Sequence, residues 1–521
     1  MQKHLSNKTR FNARKTLSAL LCSVIIGGSA AAHSPSITEA VGRQTDSNKV
    51  AFIGGTVTSP HLTAPIEDAV VLVRNGKIEA VGPASMDVAG DYQIIDITGQ
   101  YLTPGYIDAH MHFFQSGSAF TRPDSFDYSK IQSYESDRAW VHEHMADTSL
   151  RYLVSGVTGV VDMCGPSLNY QVRAEARRAA FTPTVAIAGA CISSFSAPIL
   201  DLGDGDPVFQ YTSTADDAVA FVKAQLKKRP DLIKIIWSPD QGETPQQLFD
   251  LFKDAIQLAR REGIPVAVHA TELANAKMAI RAGADILVHG VMTEAIDDEF
   301  VSLIKQHKTI YMPTLVVHEK TVEIAGNDLK FSNHEHGLAH PDILESFKLT
   351  DAMPEKAGAM VQIMHKYMPY VDAEEDEVAK LSEQEQFIVG QLKGFFSSKL
   401  TQIQRDNLLR LYREGITLAL GTDAGNPGVL HGGSLHTEMT EWYKAGLPLS
   451  AILKASTLNG AKVMGHEAML GSIEVGKWAD LIVLEKDPLQ ELDNLSSVTA
   501  VIKGGTYRTV DQLKMQLETK H

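Results

Sequence analysis

Hydrophobic residues along the chain follow two rhythms, and the change falls near residue 104. From about residue 50 to 104, short runs rich in Val and Ile alternate with polar positions, as in "KVAFIGGTVTSP", "DAVVLVRNGKIEAVGP" and "YQIIDITGQYLTP". The pairs "NG", "GG" and "GP" interrupt these runs where hairpin turns are expected. The pattern predicts antiparallel β-strands over this segment.

After residue 104 the strands become apolar throughout and alternate with longer helical stretches. The eight runs are "GYIDAHMH", "GVTGVVDMC", "PTVAIAGAC", "DLIKIIWS", "PVAVHA", "ADILVHG", "TIYMPTLVV" and "ITLALGTDA". Strands that are apolar on both faces are typical of parallel sheets covered by helices. Eight such units in series predict an α/β fold, a closed (β/α)8 TIM barrel over residues 105–467.

Two segments depart from the barrel rhythm. Residues from about 320 to 400 include "SNHEHGLAHPD" and "DAEEDEVAKLSEQEQ", and they are too long and charged for an ordinary connection. They predict a mostly helical insertion after strand seven, which fits a lid or a contact in a homo-oligomer. Near the C-terminus, "GSIEVGKWADLIVLEKDP" and "SVTAVIKGGTYR" return to short strands. We expect residues 468–512 to join residues 50–104 in a small β-sandwich domain built from both chain ends.

The first 32 residues have the pattern of a secretory signal peptide. "MQKHLSNKTRFNARK" carries five basic residues and no acidic one, and the apolar run "TLSALLCSVIIGGSAAAHS" ends in small residues. We expect cleavage after Ala32, which predicts a periplasmic or secreted protein. The apolar run is short for a bilayer span, with an uncleaved anchor as the alternative, and no later segment of the sequence suits a membrane span.

Composition and charge limit the classes of molecule that the protein is expected to bind. Hydrophobic residues make up 44% of the 521 residues, enough for a large core. Without the five leader cations the formal charge changes from −15 to −20, which argues against nucleic acid and anionic membranes. Cys164 and Cys191 remain after cleavage, too few for a disulfide framework. We expect two buried free thiols, with pairing as the alternative that export permits.

The stretch "PGYIDAHMHFF" places two histidines one residue apart at the end of the first barrel strand. Residues i and i+2 of a strand point to the same side, so His110 and His112 project together, with Cβ atoms about 6–7 Å apart. Both imidazoles would reach one metal ion at about 2 Å. Two satisfied core histidines are the structural alternative, but active sites of this fold lie at the carboxyl ends of the strands.

Further polar residues end other predicted strands. His269 ends "VAVHA", His289 ends "ILVHG", Asp423 ends "LALGTDAG", and Lys234 lies inside "DLIKIIW". Each has a structural explanation by itself, such as a strand cap, a turn cap or a lysine that reaches the rim. Together, strands one, four, five, six and eight deliver potential ligands to one mouth. A bare ammonium within the apolar fourth strand would be costly to bury.

These stretches resemble the signatures of the amidohydrolase superfamily of metal-dependent hydrolases. "TPGYIDAHMH", "VHATELANAKMAIRAGADILVHG", "LGTDAG" and "KASTLNGAKVMGHEAMLGSIEVGKWADLIVLEKDP" stand in the order of that superfamily, and the resemblance covers residues from about 50 to 510. The chain looks most like the branch that contains imidazolonepropionase-related proteins and metal-dependent dipeptidases of the prolidase type.

The resemblance implies a site for two divalent metal ions. Its ligands would be His110, His112, Lys234, His269, His289 and Asp423. The strand-one histidines and the aspartate would hold one ion, and the histidines of strands five and six the other. The lysine, carboxylated by carbon dioxide, would bridge both, which resolves its burial because a carbamate is an anion. Such ligands suit zinc, manganese, cobalt or iron, and we expect zinc-like ions.

The implied reaction is hydrolysis by a nucleophile derived from water. A hydroxide shared by two divalent ions stays deprotonated near neutral pH, and one ion polarises the scissile carbonyl. Asp423 would be the catalytic residue that takes the proton and passes it to the leaving amine. We therefore expect an exported metal-dependent hydrolase of carbon–nitrogen bonds, with a dipeptide or an N-acyl amino acid as its small-molecule substrate.

The sequence leaves alternatives open. Glu272, in "HATE", is placed like the proton-shuttling glutamate of mononuclear deaminases and imidazolonepropionase-like members, or it is a charge at the start of the next helix. His431, in "NPGVLHGGSLHTEM", would contact substrate or cap a helix. A non-catalytic barrel protein is the hypothesis from another class, although such relatives have usually lost metal ligands that this chain keeps.

Overall fold

The fold is described on a computed structural model, whose described residues are 49–121, 126–196, 205–239 and 242–518. The predicted signal peptide lies outside these residues and stays a prediction. Within them, no helix combines the length and the apolar character that crossing a bilayer requires.

The secondary structure alternates strands and helices, as the hydrophobic rhythm predicts. In chain order the strands β1 to β17 are Lys49–Val57, Ile66–Arg74, Lys77–Pro83, Gln93–Asp96, Tyr101–Pro104, Tyr106–Met111, Val157–Asp162, Thr184–Ile187, Cys191–Ser193, Phe209–Tyr211, Ile233–Ile236, Val266–His269, Ile286–Val288, Ile310–Met312, Leu481–Leu484, Val498–Lys503 and Thr506–Thr509. The helices α1 to α18 are Tyr134–Glu143, Met145–Val154, Asn169–Arg178, Ala215–Lys227, Pro245–Arg261, Leu273–Ala282, Asp298–His307, Leu315–Ala325, Asn333–Leu338, Pro341–Ala352, Ala359–Tyr367, Glu375–Val378, Glu383–Phe396, Ser398–Arg413, Ser434–Lys444, Leu449–Lys454, Gly460–Val463 and Val510–Glu518.

Parallel strands form the wall of a barrel. One sheet contains β6, β7 and β8, and a second has the order β10-β9-β11-β12-β13-β14. Strand three of the prediction is split between these sheets, because Gly189, with φ of 70°, interrupts it. Its first half, β8, pairs with β7, and its second half, β9, pairs with β11, so the wall continues across the break.

The eighth segment of the wall is less regular than the predicted strand. Tyr311 N–H donates to Thr417 O at 3.0 Å, and His112 N–H donates to Ala424 O at 2.8 Å. These bonds connect residues 417–424 to β14 on one side and to the end of β6 on the other, which closes the barrel. The left-handed backbone of Asp423, with φ of 63°, interrupts a continuous strand here. The arrangement is a TIM-barrel-like α/β fold, as predicted.

The seventh strand is shorter than the predicted run "TIYMPTLVV". It ends at Met312, because Pro313 lacks an N–H group and Thr314 has a left-handed φ of 47°. The residues that follow form helix α8 instead of strand. Helices α8 to α13 then occupy the region of the predicted insertion, whose role and bounds as a separate unit stay a prediction.

Strands from both chain ends form one sheet with the order β17-β16-β15-β5-β1-β2-β3, and β4 pairs with β1. The two ends meet where β5 runs antiparallel to β15. The turn between β2 and β3 has positive φ at Asn75 (51°) and Gly76 (77°), as the "NG" hairpin signal predicts. The prediction that the strands of residues 50–104 are all antiparallel is wrong, because β4 and β5 run parallel to β1. The sandwich and its boundaries stay a prediction.

The two cysteines of the described chain form a disulfide. Cys164 follows β7 and Cys191 opens β9, and their Cα atoms lie 5.5 Å apart. The expectation of two buried free thiols is therefore wrong. The cysteines are 27 residues apart in the chain, and barrel pairing brings their neighbouring strand ends together.

Candidate metal centre

The six predicted ligands lie on the wall of one cavity of about 380 Å³ at the carboxyl ends of the barrel strands. They are His110, His112, Lys234, His269, His289 and Asp423. Parallel strands end at the same rim, so residues far apart in the chain converge there. The structure thus brings together all six predicted metal ligands.

Asp423 contacts both histidines of the first barrel strand. Its Oδ1 atom lies 2.8 Å from His112 Nε2 and 3.2 Å from His110 Nε2. One ligand atom from each of the three residues lies within 4.8 Å of the others. Two imidazoles and a carboxylate at this spacing form a set that binds a divalent transition metal.

His269 and His289 lie beside this first group. Their ring centroids are 4.5 Å apart, and the His289 ring is 5.0 Å from that of His110. His289 Nδ1 is 3.8 Å from Asp423 Oδ2, so the aspartate faces both groups. Lys234, only 1% exposed, lies on the same cavity wall. The geometry places a carboxylate next to imidazoles of both groups, with a buried amine on the same cavity wall.

Burial sets the charge state of these side chains. It lowers the pKa of His269 to about 4 and pushes the pKa values of His110 and His289 well below the ordinary range. Burial also acts on His112, but its hydrogen bond to Asp423 and the negative charges of Asp423 and Asp162 together outweigh burial and raise its pKa. For Asp423, the neighbouring imidazoles outweigh burial and hold the pKa well below its usual value. Metal ions bind neutral imidazoles and ionised carboxylates, which are the forms favoured at His110, His269, His289 and Asp423, whereas His112 would release its proton when a metal ion binds.

Lys234 is a buried residue of the centre that needs a further binding partner. Its Nζ atom is buried and has no hydrogen-bond partner among the described residues. Burial lowers the pKa of this amine to about 8. Burying an amine without a hydrogen-bond partner costs free energy. We therefore expect Lys234 Nζ to bind a group that the described residues do not supply.

Three non-glycine residues of the centre have left-handed backbone. The φ angles are 72° at His289, 47° at Thr314 and 63° at Asp423. Each such conformation costs on the order of 1–3 kcal/mol and persists where the surroundings enforce it. Because all three lie at the rim of the barrel, we attribute them to the aiming of the metal ligands.

Two neighbours that sequence reasoning missed orient the imidazoles. Thr314 Oγ1 donates to Pro313 O at 2.8 Å, so it accepts from His289 Nδ1, also at 2.8 Å. His112 Nδ1 donates to the carbonyl of Cys164 at 3.0 Å. In both rings the proton on Nδ1 leaves Nε2 as the atom able to bind a metal. No motif in the sequence marks these partners, which come from the ends of neighbouring strands.

A buried carboxylate ties the first strand to the eighth wall segment. Asp108 Oδ2 accepts from Thr422 Oγ1 at 2.7 Å, and Asp108 Oδ1 accepts from His110 N–H at 3.2 Å. Burial raises the pKa of Asp108 to about 7. These bonds hold the backbone of His110 beside that of Asp423, so the two ligands keep their relative position.

Replacing Thr314 with valine tests the orientation of His289. We expect the affinity for the bound metal to fall about 10–100-fold, because His289 Nδ1 loses its acceptor while the side chain keeps its shape. Equilibrium dialysis against metal buffers, with metal analysis, measures the change.

Thr321→Val is the matched control for this variant. Thr321 also lines the cavity, but its hydroxyl donates to Val317 O at 2.7 Å within its own helix. The control should bind metal like the wild type. Equal affinity in both variants would show that Thr314 does not orient the imidazole.

Glu272 and His431 are not among the described residues that line the cavity. Glu272 immediately precedes helix α6 and accepts a hydrogen bond from Asn275 Nδ2 at 3.3 Å. His431 Nε2 donates to the backbone carbonyl of His112 at 3.0 Å. This geometry favours a helix-start charge for Glu272 and a positioning role for His431 over contact with the reacting atoms.

A second cluster, formed by His144, His340 and Asp342, also has ligand atoms within 4.8 Å of one another. Its polar atoms already have other uses. Trp140 Nε1 donates to Asp342 Oδ2 at 2.9 Å, and His340 Nδ1 accepts from Asp342 N–H at 3.1 Å, which caps helix α10. We interpret this cluster as a structural contact between α1 and α10.

Several curated relatives of the chain are imidazolonepropionases, and another is a 5-methylthioadenosine/S-adenosylhomocysteine deaminase that matches over 15% of this chain. The imidazolonepropionase of Pseudomonas fluorescens is 27% identical over 40% of this chain and 55% of its own length. That of Pseudomonas syringae pv. tomato is 23% identical over 80% of this chain and 87% of its own length. The chain thus spans about half the length of the first relative and most of the second.

A solved structure and a family model extend the comparison to most of the chain. A Xaa-Pro dipeptidase with methionine bound in its active site has a TM-score of 0.63 and 20% identity, covering 88% of this chain and 100% of its own. At that identity the likeness shows the fold alone. The model of the Amidohydrolase family matches residues 101–507, a range that contains every ligand of the candidate metal centre. The chain therefore belongs to the amidohydrolase family, a family of metal-dependent hydrolases.

Proposed function

We propose that the protein hydrolyses an amide bond in a dipeptide or an N-acyl amino acid and uses two divalent metal ions, zinc or zinc-like, to do so. The observation that carries the proposal is the convergence of five histidine and aspartate ligands and one lysine on a single cavity wall. A centre with one ion would not need the lysine. The fold likeness to a Xaa-Pro dipeptidase is compatible with an amide substrate.

The donor set fits two ions. His110, His112 and Asp423 form the first group, and His269 and His289 form the second. The buried lysine, whose Nζ atom is unpartnered among the described residues, lies on the same cavity wall as both groups. We propose that this amine, in its neutral form, adds to the carbon of carbon dioxide and releases one proton to solvent. The resulting carbamate would offer two oxygen ligands, and a buried amine would be replaced by an anion that suits divalent cations.

The chemistry follows from the charges of the site. Bound divalent ions lower the pKa of a coordinated water and polarise a carbonyl oxygen. Asp423 is ionised, so it accepts the proton that the attacking water loses and donates it to the leaving nitrogen. The Nε2 atoms of His112 and His110 face the Oδ1 atom of Asp423, so the three residues would hold one ion between them. No serine or cysteine nucleophile is required.

A mononuclear cyclic amidohydrolase or deaminase is the second candidate. The observation in its favour is the likeness to imidazolonepropionases. It would use Glu272 to move protons, yet that side chain bonds to Asn275 outside the described cavity lining. Release of ammonia and one bound ion per chain would support this candidate.

Export is part of the proposal. A disulfide between Cys164 and Cys191 persists in an oxidising compartment such as a periplasm or the extracellular space, and it is uncommon in the cytosol. This agrees with the predicted signal peptide. Fractionation of the native host, followed by mass measurement of the mature N-terminus, would test both the location and the cleavage after Ala32.

Metal removal tests the proposed function. The purified protein is treated with a chelator, and hydrolysis is measured on dipeptides, N-acyl amino acids and cyclic amides before and after zinc and bicarbonate are restored. We expect about two ions per chain, loss of hydrolysis without them, and recovery on reconstitution. Circular dichroism verifies that the treated protein stays folded. Equal hydrolysis by the metal-free protein would overturn the proposal.

A further inference from the structure

The cavity has a second feature that the proposed chemistry does not use. Its wall includes Phe114, Phe126, Phe195, Phe209 and Ile236. Activation of water and transfer of a proton require polar groups, so these side chains take no part in either step. We infer that they form a recognition pocket for an aromatic ring that the substrate carries next to its scissile amide. This inference rests on the proposed function and narrows its substrate class.

The apolar surface begins directly at the metal ligands. The Phe114 ring lies edge-on to that of His112, with centroids 5.6 Å apart and an interplanar angle of 67°. Ile236 follows Lys234 by two residues in β11, so both side chains point to the same face of the strand. A ring held against these residues therefore lies close to the reacting carbonyl.

One side of the pocket is rigid. Phe114 packs in a cluster with Cys164, Cys191 and Val208, and Phe209 and Ile236 pack against that cluster. In the sheet, Phe209 of β10 stands opposite Cys191 of β9, which is one half of the disulfide. A wall fixed in this way binds a flat ring without first losing conformational entropy of its own.

The other rings enter from separate elements. Phe195 follows β9, where Ser193 Oγ donates to Phe195 O at 2.8 Å and accepts from Phe195 N–H at 3.2 Å. Phe126 belongs to the hydrophobic cluster under the helices α8, α11 and α13. The pocket is therefore assembled from strand ends of the barrel and from the segment after β6, and helices of the predicted insertion support it by packing in the same cluster as Phe126.

Size and exposure fit a single aromatic group. Phe195 and Phe209 are only half-buried although they are apolar, and both line the cavity. A substrate ring that covers them removes apolar surface from water on both partners, and aromatic pairs gain further from edge-on or offset contact. The cavity of about 380 Å³ lies near the small end of ligand pockets, which accommodates one ring with its amide.

Matched substrates test the inference. Phenylacetyl-alanine is compared with acetyl-alanine for a ring on the acyl side, and glycyl-phenylalanine with glycyl-alanine for a ring on the amine side. We expect kcat/KM to favour the aromatic member about 100-fold in one of the two pairs. In Phe209→Ala and Phe195→Ala, that ratio should fall about tenfold or more. The control Phe387→Ala, at a position 67% exposed on helix α13, should keep the wild-type ratio.

Binding provides a readout that does not depend on turnover. Calorimetry compares 4-phenyl-2-butanone with 2-butanone, two ketones without a cleavable amide. Tighter binding of the phenyl ketone, weakened in Phe209→Ala but not in Phe387→Ala, supports the pocket even if none of the amides is hydrolysed, in which case only the proposed reaction fails. Equal binding of both ketones, or equal kcat/KM within both substrate pairs, would overturn the inference. Thermal melts verify that each variant is folded.

Discussion

Asp423→Asn should lower kcat by about 10³-fold or more, the largest effect of any single substitution in this protein. An asparagine keeps the size and one oxygen ligand of the aspartate, but its amide is not basic. It cannot accept the proton of the attacking water, and so it has none to give to the leaving nitrogen. Steady-state rates on the best amide substrate, with metal content measured in parallel, separate the loss of proton transfer from the loss of an ion.

Glu272→Gln is the matched control for this substitution. It also replaces a carboxylate with an amide. Glu272 follows His269 by three residues but is not part of the described cavity lining. We expect its kcat to equal that of the wild type. If the glutamine variant loses as much activity as the asparagine variant, the mononuclear candidate gains and the role assigned to Asp423 is wrong. Wild-type kcat in Asp423→Asn would reject the mechanism outright.

Most ligands of the centre could be predicted because they lie at or near the end of an apolar strand, and Lys234 because it is a charged residue inside one. A charged or imidazole side chain that closes a buried run is conspicuous, as His269 and His289 are. The fold then supplies what spacing along the chain does not, since parallel strands of a barrel end at one rim. In this way a local pattern determined a cluster of residues that span more than three hundred positions.

The supporting contacts could not be predicted in the same way. Thr314 lies 25 residues after His289, and Cys164 lies 52 residues after His112, with nothing in the sequence to pair them. Their interactions depend on which strand ends are neighbours and on left-handed backbone at non-glycine residues. Such a conformation is unfavourable in isolation, so local propensity predicts against it.

The sheet built from both chain ends shows what turn signals in the sequence do not predict. Turn signals such as "NG" identify a hairpin between strands that are adjacent in sequence, and the β2–β3 hairpin follows from them. They carry no information on how β4 and β5 return to the sheet. Both align parallel to β1, because pairing of non-neighbouring strands is decided by tertiary packing. The disulfide escaped prediction for the same reason.

Lys234→Ala should remove most of the activity, by about 10³-fold, because the proposed bridging ligand would be lost together with at least one of the proposed ions. The reason is geometric, since the amine is 1% exposed and lies on the wall that carries all the other ligands. Truncation leaves a void beside the ions that a small carboxylate can enter. We therefore expect acetate or propionate to restore part of kcat and part of the metal content.

Lys234→Met separates the bridge from the packing of the fourth strand. Methionine fills the space of the lysine stem without supplying a ligand, so this variant should be inactive and should not respond to acetate. In the wild type, isotopically labelled bicarbonate should give a carbamate signal in the nuclear magnetic resonance spectrum, and this signal should disappear in both variants. Full activity and full metal content in Lys234→Ala, or a wild-type enzyme without that signal, would reject the carboxylated bridge. The one-ion candidate would then account better for the remaining histidines and Asp423.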